Sequence, residues 1–254
     1  VEVSENTRQM SVERYAAAIR NAQAEGVRCL IGVFNMGTTM FGSVDDPNVY
    51  SDRFKEYQLP FRLHIDGAYG GFVYPFGDFE NQINFTNPDI SSITIDAHKM
   101  LQAPYGTGIF LCRKGLIENV VTKEAGYVEG MDLTLSGSRS GANAIAIWMI
   151  LSTYGPNGWF EKIKVLQMRT DWLCNQLDEL NISYFREPAM NIVTIQSYHI
   201  TEALAHEFDL VPQKHNSDTN QWYKLVLMEH VVVEHLKFFL DKLKETLILN
   251  LSLT

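Results

Sequence analysis

Apolar positions recur at three-and-four spacing through Val12, Tyr15, Ala16, Ile19 and Ala22, behind Ser11 and ahead of Gly26. That period predicts an amphipathic helix capped by the serine and stopped by the glycine. Residues 29–34 form a short apolar run fit for a buried parallel strand, followed by a loop at Asn35-Met36-Gly37-Thr38-Thr39. A short helix is expected from about residue 48 to residue 57, stopping before Pro60. Residues 61–65, 92–95 and 108–112 read as further strands. Strands alternating with helices and loops predict a largely parallel sheet covered on both faces. Residues 140–154 are apolar nearly all round, which predicts a buried helix.

Gly155-Pro156-Asn157-Gly158 breaks the chain. An amphipathic helix follows, with Trp159, Ile163, Leu166, Leu173, Leu177 and Leu180 on one side. Strand-like runs cover residues 182–185, 192–195 and 222–227. The last helix carries Val232, Leu236, Phe239, Leu240, Leu243 and Leu247 on one face. The pattern therefore predicts two domains, 1–155 and 156–254, the second a smaller α+β unit.

Composition narrows the function classes. The 254 residues are 46% hydrophobic and 20% charged, ordinary for a globular chain. Lysine plus arginine is 21 against 30 aspartate plus glutamate, a formal net charge of -9. That balance argues against a nucleic-acid or anionic-membrane partner, since both select basic surfaces. No apolar run approaches the roughly 20 residues needed to span a bilayer. Cys29, Cys112 and Cys174 are odd in number and far apart, which predicts free buried thiols in a reducing, cytoplasmic compartment. Three glycosylation sequons, at Asn84, Asn181 and Asn250, read as chance matches beside that expectation. The start at Val1 has neither a methionine nor a signal-peptide pattern, which reads as a processed or trimmed chain or a fragment.

Candidate chemistry gathers just beyond the carboxyl ends of the predicted strands, where open α/β sheets bind ligands. Three clusters sit there: Gly37-Thr38-Thr39, His64-Ile65-Asp66-Gly67-Ala68 and Asp96-Ala97-His98-Lys99. A lysine after a buried strand either points to solvent from a loop or serves as a Schiff-base amine. Asp66 alone reads equally as a turn residue or helix cap. Taken together they suggest a cofactor that needs an amine for its carbonyl and a carboxylate for a ring nitrogen, a description that fits pyridoxal phosphate. The five histidines His199, His206, His215, His230 and His235 show no metal spacing, and no HExxH motif occurs. No phosphate loop, dinucleotide fingerprint or GxSxG elbow is present. His64 shares a strand face with Asp66 and reads as a hydrogen-bonded supporting residue. Arg139 reads as a tie between a helix start and its neighbouring loops.

The ordered set of motifs resembles the group II pyridoxal-phosphate-dependent amino-acid decarboxylases. The resemblance rests on Gly37-Thr38-Thr39 with Asp45, on His64 to Gly71, on Ser92 to Met100, and on Leu135 to Ala142. Glu187-Pro188-Ala189-Met190-Asn191-Ile192-Val193 is similar to a small-domain segment of archaeal-type tyrosine/aspartate decarboxylases. The resemblance implies an aspartate-aminotransferase fold: part of the mainly parallel large domain, then the small C-terminal α+β domain. It also implies a homodimer with composite sites. It would make Lys99 the Schiff-base lysine and Asp66 the partner of the pyridine nitrogen. Ala68 would lie against the ring, His98 at the phosphate, and Thr39 along the cofactor. Gly137 and Ser138 would reach the phosphate of a neighbouring subunit. Tyr127 would be the mobile-loop tyrosine that protonates the substrate α-carbon. The expected reaction is conversion of an L-amino acid to its amine and CO2. Only 36 residues precede Gly37, fewer than the family places there. The segment expected to supply most of the phosphate cup is missing, so a complementary N-terminal polypeptide is a second candidate partner. Two alternatives stay open: a carbon-carbon lyase like the sphingosine-phosphate lyases, and a noncatalytic fragment acting as a partner subunit.

Overall fold

The computed structural model describes residues 3–4, 7–77, 83–120, 139–213 and 221–252. The chain divides into two compact units. The first comprises Val1–Met36, Val44–Pro75 and Phe79–Gly155; the second comprises Gly37–Ser43, Phe76–Asp78 and Pro156–Thr254.

In the first unit, helix α1 spans Val12–Ala24, and the Ser11 side chain accepts a hydrogen bond from the Arg14 N–H at its start. Strand β1 is Leu30–Asn35, helix α2 Pro47–Glu56, and strands β2, β3 and β4 are Phe61–Asp66, Ile90–Asp96 and Gly108–Cys112. Asp46 caps α2 by accepting from Asn48 N at 2.9 Å, with Pro47 in the first helical turn. Proline is well placed there, because the first helical N–H groups have no partner within the helix.

The four strands lie in sequence order, with β1, β2 and β3 parallel and β4 antiparallel at the edge. The expected mainly parallel sheet is present. Its cover differs from expectation. Phe34, Leu63 and Ile65 are buried on one face, and Phe34 stacks on Tyr50 of α2 at 5.0 Å. Tyr15 of α1 meets Tyr50 and Phe54 there. On the opposite face Ile31 is 75% exposed and Val33 59%. Among the described residues no element covers Ile31 and Val33.

Helix α3 is traced over Gly141–Glu179 but is broken at Gly155, whose φ of 59° and ψ of -178° lie outside helical geometry. That left-handed φ suits glycine, and Pro156 then begins the next helical run with its fixed φ. The apolar stretch before the break is not buried as expected: Ile145, Trp148 and Met149 are all more than half exposed. Its all-round hydrophobicity states a demand for cover that this chain's described residues do not meet.

The second unit is built on the helical run after Gly155, which buries Trp159, Ile163, Leu166, Leu173 and Leu177. Strands β5 (Tyr184–Phe185), β6 (Ile192–Gln196), β7 (Val211–Pro212) and β8 (Trp222–Val226) form an antiparallel sheet in the order β5-β6-β8-β7. Helix α4 (Glu202–Glu207) precedes β7, and α5 (Val233–Ser252) ends the chain. Val193, Ile195, Tyr223 and Leu227 share one core with Leu173, Leu177, Leu236, Phe239 and Leu243. The loop of residues 37–43 is built into this unit. Phe41 packs edge-on against Phe185 and Trp222, and Lys224 Nζ donates to Thr39 O at 2.9 Å.

Candidate active site

The carboxyl ends of β1, β2 and β3 bring Asn35, Asp66 and Asp96 to one edge of the first unit's sheet. Asn35 stands opposite Asp66, and Asp66 opposite Thr94. Parallel strands put their carbonyl-terminal loops at the same end, which is why residues far apart in sequence meet here.

The turn after β2 is fixed by hydrogen bonds from both sides. Asp66 Oδ1 accepts from Ala68 N at 3.0 Å, Gly67 N donates to Thr94 O at 2.9 Å, and Gly71 N donates to Gly67 O at 2.8 Å. Met36 N donates to Asp66 O at 2.8 Å, tying the end of β1 to the same turn. Asp66 is exposed, and its Oδ2 takes no hydrogen bond from the described residues. One carboxylate oxygen is thus held by the backbone while the other stays open to an incoming N–H.

Behind it, His64 lies between two hydroxyls, with Ser92 Oγ at 2.8 Å from Nδ1 and Thr94 Oγ1 at 3.2 Å from Nε2. Partial burial pushes its imidazole below the ordinary range, and the Asp66 carboxylate opposes that shift. Asp45 is buried and accepts from both Asn35 N and Asn35 Nδ2, at 2.9 and 3.0 Å. It holds the end of β1.

The turn after β3 carries Asp96, His98 and Lys99. Asp96 N donates to Ala68 O at 3.0 Å, so this turn is stitched to the one bearing Asp66. Lys99 Nζ lies 2.9 Å from Asp96 Oδ2. His98 Nδ1 is 2.8 Å from Thr107 O. A carbonyl only accepts, so Nδ1 carries the proton and Nε2 of a neutral ring keeps its lone pair. Asp66, Ala68, His98 and Lys99 therefore gather at one sheet end. Thr39 belongs to the second unit, in the loop held by Lys224. Tyr127, Gly137 and Ser138 lie outside the described residues. Arg139 is exposed. The sequence pattern assigned no role to Asp96, although its spacing of three from Lys99 was the available signal.

A primary amine, an open carboxylate and an imidazole at adjoining strand ends are the donor set that pyridoxal 5′-phosphate needs: an amine for its aldehyde and an anion for its ring N–H. Among the described residues no cluster of three or more histidine, cysteine, aspartate or glutamate side chains is arranged to hold a metal. No described helix is long and apolar enough to cross a membrane.

Comparison with known proteins agrees with this chemistry. The chain is 53% identical over 227 residues to a tryptophan decarboxylase of Clostridium sporogenes, covering 89% of this chain and 54% of that protein. It is 31% identical over 246 residues to a probable L-aspartate decarboxylase of Pyrococcus abyssi, covering 92% of this chain and 62% of the relative. The chain therefore spans little more than half the length of the curated relatives it matches. In fold it is similar to a sphingosine-1-phosphate lyase of Burkholderia pseudomallei, with TM-score 0.78, 18% identity, and 96% of this chain on 57% of that one. An L-methionine decarboxylase of Streptomyces matches with TM-score 0.76 and 20% identity, with 94% of this chain on 57% of that one. The family model of the pyridoxal-dependent decarboxylase conserved domain matches residues 1–185, and the chain belongs to that family of pyridoxal-phosphate-dependent amino-acid decarboxylases.

Proposed function

We propose that this chain takes part in converting an aromatic L-amino acid to its amine and CO2, with Lys99 as the amine that joins the aldehyde of pyridoxal 5′-phosphate. The observation that carries this is the stitching of the Asp66 turn to the Lys99 turn through Asp96 N and Ala68 O, at 3.0 Å. The aromatic substrate class rests on the 53% identity to a tryptophan decarboxylase, against 31% to the aspartate relative.

When bound, the cofactor supplies an electron sink for the pair left on the α-carbon as CO2 departs. The chain's own residues do the rest. Asp66 offers its open oxygen to hold the proton on the ring nitrogen. Ala68, on the same turn, limits the space on one ring face. His98 would sit at the phosphate, and Gly137 and Ser138 would reach the phosphate of a neighbouring subunit. Tyr127 delivers a proton to the α-carbon. Residues 1–155 act as the later part of the cofactor-binding domain, and residues 156–254 as the small domain.

The exposed apolar residues Ile31, Val33, Trp148 and Met149 support a partner chain, either a second copy or a complementary N-terminal polypeptide. Of the three free cysteines only Cys174 is buried as expected, Cys29 being exposed and Cys112 partly so; free thiols fit a reducing cytoplasm. The test uses native material with any polypeptide that accompanies it. Pyridoxal phosphate is added and reduced with borohydride, and the labelled peptide is mapped; CO2 release is then assayed from tryptophan, tyrosine, phenylalanine and aspartate. Label on Lys99 and CO2 from the aromatic substrates are expected. Label on another lysine overturns the role of Lys99, and CO2 from aspartate alone overturns the substrate class.

A further inference from the structure

Lys99 does not stand alone at the end of β3. Its Nζ lies 2.9 Å from Asp96 Oδ2, three residues earlier, and the two side chains are 39% and 23% exposed. The Lys99 N–H donates to Asp96 O at 3.3 Å, so the pair sits on one turn. The backbone of Asp96 is itself held on both sides. Its N–H donates to Ala68 O, and its Cα is registered against Gly108 of β4. Ala97 N donates to Thr107 O at 3.1 Å just beyond it.

His98, the other basic group nearby, is tied elsewhere. Its Nδ1–H is committed to Thr107 O, and its Nε2 is 3.9 Å from the same Asp96 oxygen. With the proton on Nδ1, a neutral His98 turns a lone pair toward the carboxylate and has no hydrogen to give it. The lysine ammonium is therefore the donor that Asp96 holds.

We propose that Asp96 is a positioning residue for Lys99: its carboxylate is the counter-ion that parks the amine on the turn and withholds it from electrophiles. While the pair stands, the lysine nitrogen is directed at the Asp96 carboxylate, and its reach is set by a carboxylate whose backbone is pinned. Charge-assisted hydrogen bonds of this length are stronger than neutral ones and specify direction. The consequence for catalysis rests on Lys99 being the cofactor lysine. The proposal itself concerns the cofactor-free chain.

The test therefore needs no cofactor. The chain is exposed to trace acetic anhydride at one neutral pH, and acetylation of Lys99 is measured by peptide mass relative to exposed Lys114 in the same molecules. Asp96→Asn keeps the shape and removes the charge, whereas Asp96→Ala removes both. The expected result is a several-fold rise in the Lys99/Lys114 ratio in both variants. Lys55, paired with Asp89 in the same unit, should keep its wild-type labelling relative to Lys114, which reports that the first unit's fold is kept. A purely structural role predicts that Asp96→Asn keeps the wild-type ratio, and that outcome overturns the proposal. The wild type supplies a second reading that does not depend on a variant folding. Salt screens a partly exposed pair, so the Lys99/Lys114 ratio should climb with ionic strength. A flat ratio overturns the proposal as well. Misassignment of the cofactor lysine would instead appear in the borohydride map and leave these ratios untouched.

Discussion

A Cβ placed on Gly70 would come within 2.0 Å of the Met36 carbonyl oxygen. The contact is backbone against backbone, at the point where Gly70 N donates to Met36 O at 3.0 Å. Next to it, a Cβ on Gly71 would meet Ile95 Cγ1 at 2.8 Å. The Gly-Gly pair after Asp66 is thus required by close approach of the turn to β1 and β3.

Gly70→Ala should accordingly destabilise the first unit, because neither the carbonyl nor the turn can retreat without breaking that hydrogen bond. Overpacking of this kind costs about 1–3 kcal/mol or more. Gly141→Ala is the control: nothing lies within 4 Å of its added Cβ, and it opens a helix. Urea unfolding of both variants should show a lowered midpoint for Gly70→Ala and an unchanged or raised one for Gly141→Ala. Equal midpoints would refute the close-approach argument.

The difference between what the sequence disclosed and what it hid follows from where each signal comes from. Strands β1 to β3 were legible because apolar runs end in polar turns, and parallel strands put those turns at one end. The placement of Asp66 and Lys99 on adjoining turns followed from that alone. Strand β7 (Val211–Pro212) and helix α4 (Glu202–Glu207) are too short to set up a period. Their assignment depends on pairing with β8 and on the Thr201 cap. Trp148 and Val33 show the opposite failure. Their apolar character was read as burial, yet both are exposed here. Periodicity records that a face needs cover and says nothing of which chain provides it. The Asp96–Lys99 pair was hidden for a third reason: a spacing of three matters only once the backbone is known to turn there.

Asp66→Asn should leave the fold intact and cut turnover severely. The substitution keeps an oxygen for Ala68 N–H but removes the charge that would hold a proton on the ring nitrogen. Loss of a preorganised electrostatic contact of this sort costs about 3 kcal/mol in the transition state, roughly a hundredfold in rate. Turnover of the holoenzyme, measured beside its unfolding midpoint, checks this. Near-normal turnover would falsify the assignment of Asp66.

Asp45→Ala should destabilise the chain with no direct effect on chemistry. The carboxylate oxygen that takes Asn35 N and Asn35 Nδ2 would be gone, leaving a main-chain donor at the end of β1 without its partner. Leaving such a donor unsatisfied costs about 1–3 kcal/mol. Hydrogen exchange at the Asn35 amide should speed up in the variant, and unchanged exchange would show that solvent or a neighbour replaces the carboxylate.

His199 should make the second unit acid-sensitive. Ser183 N donates to His199 Nε2 at 3.0 Å, so that nitrogen must carry a lone pair and the ring must be neutral. Burial also lowers its proton affinity from the ordinary histidine range around 6.5. The sign follows from linkage: the unfolded chain binds the proton more readily than the folded one, so stability rises with pH across the gap. The contribution is fully present above the unfolded value near 6.5 and is lost as pH falls through the lowered folded value. Protonation of Nε2 would set two donors against each other and break the contact with Ser183. Urea unfolding at pH 8 and pH 5 should therefore give a steeper loss for the wild type than for His199→Gln, which has no proton to take up. The ordinary carboxylates titrate in both proteins and cancel in the comparison. The same pH slope in both would mean that His199 takes up its proton as readily in the folded chain as in the unfolded one, and its bond to Ser183 would then carry no acid sensitivity.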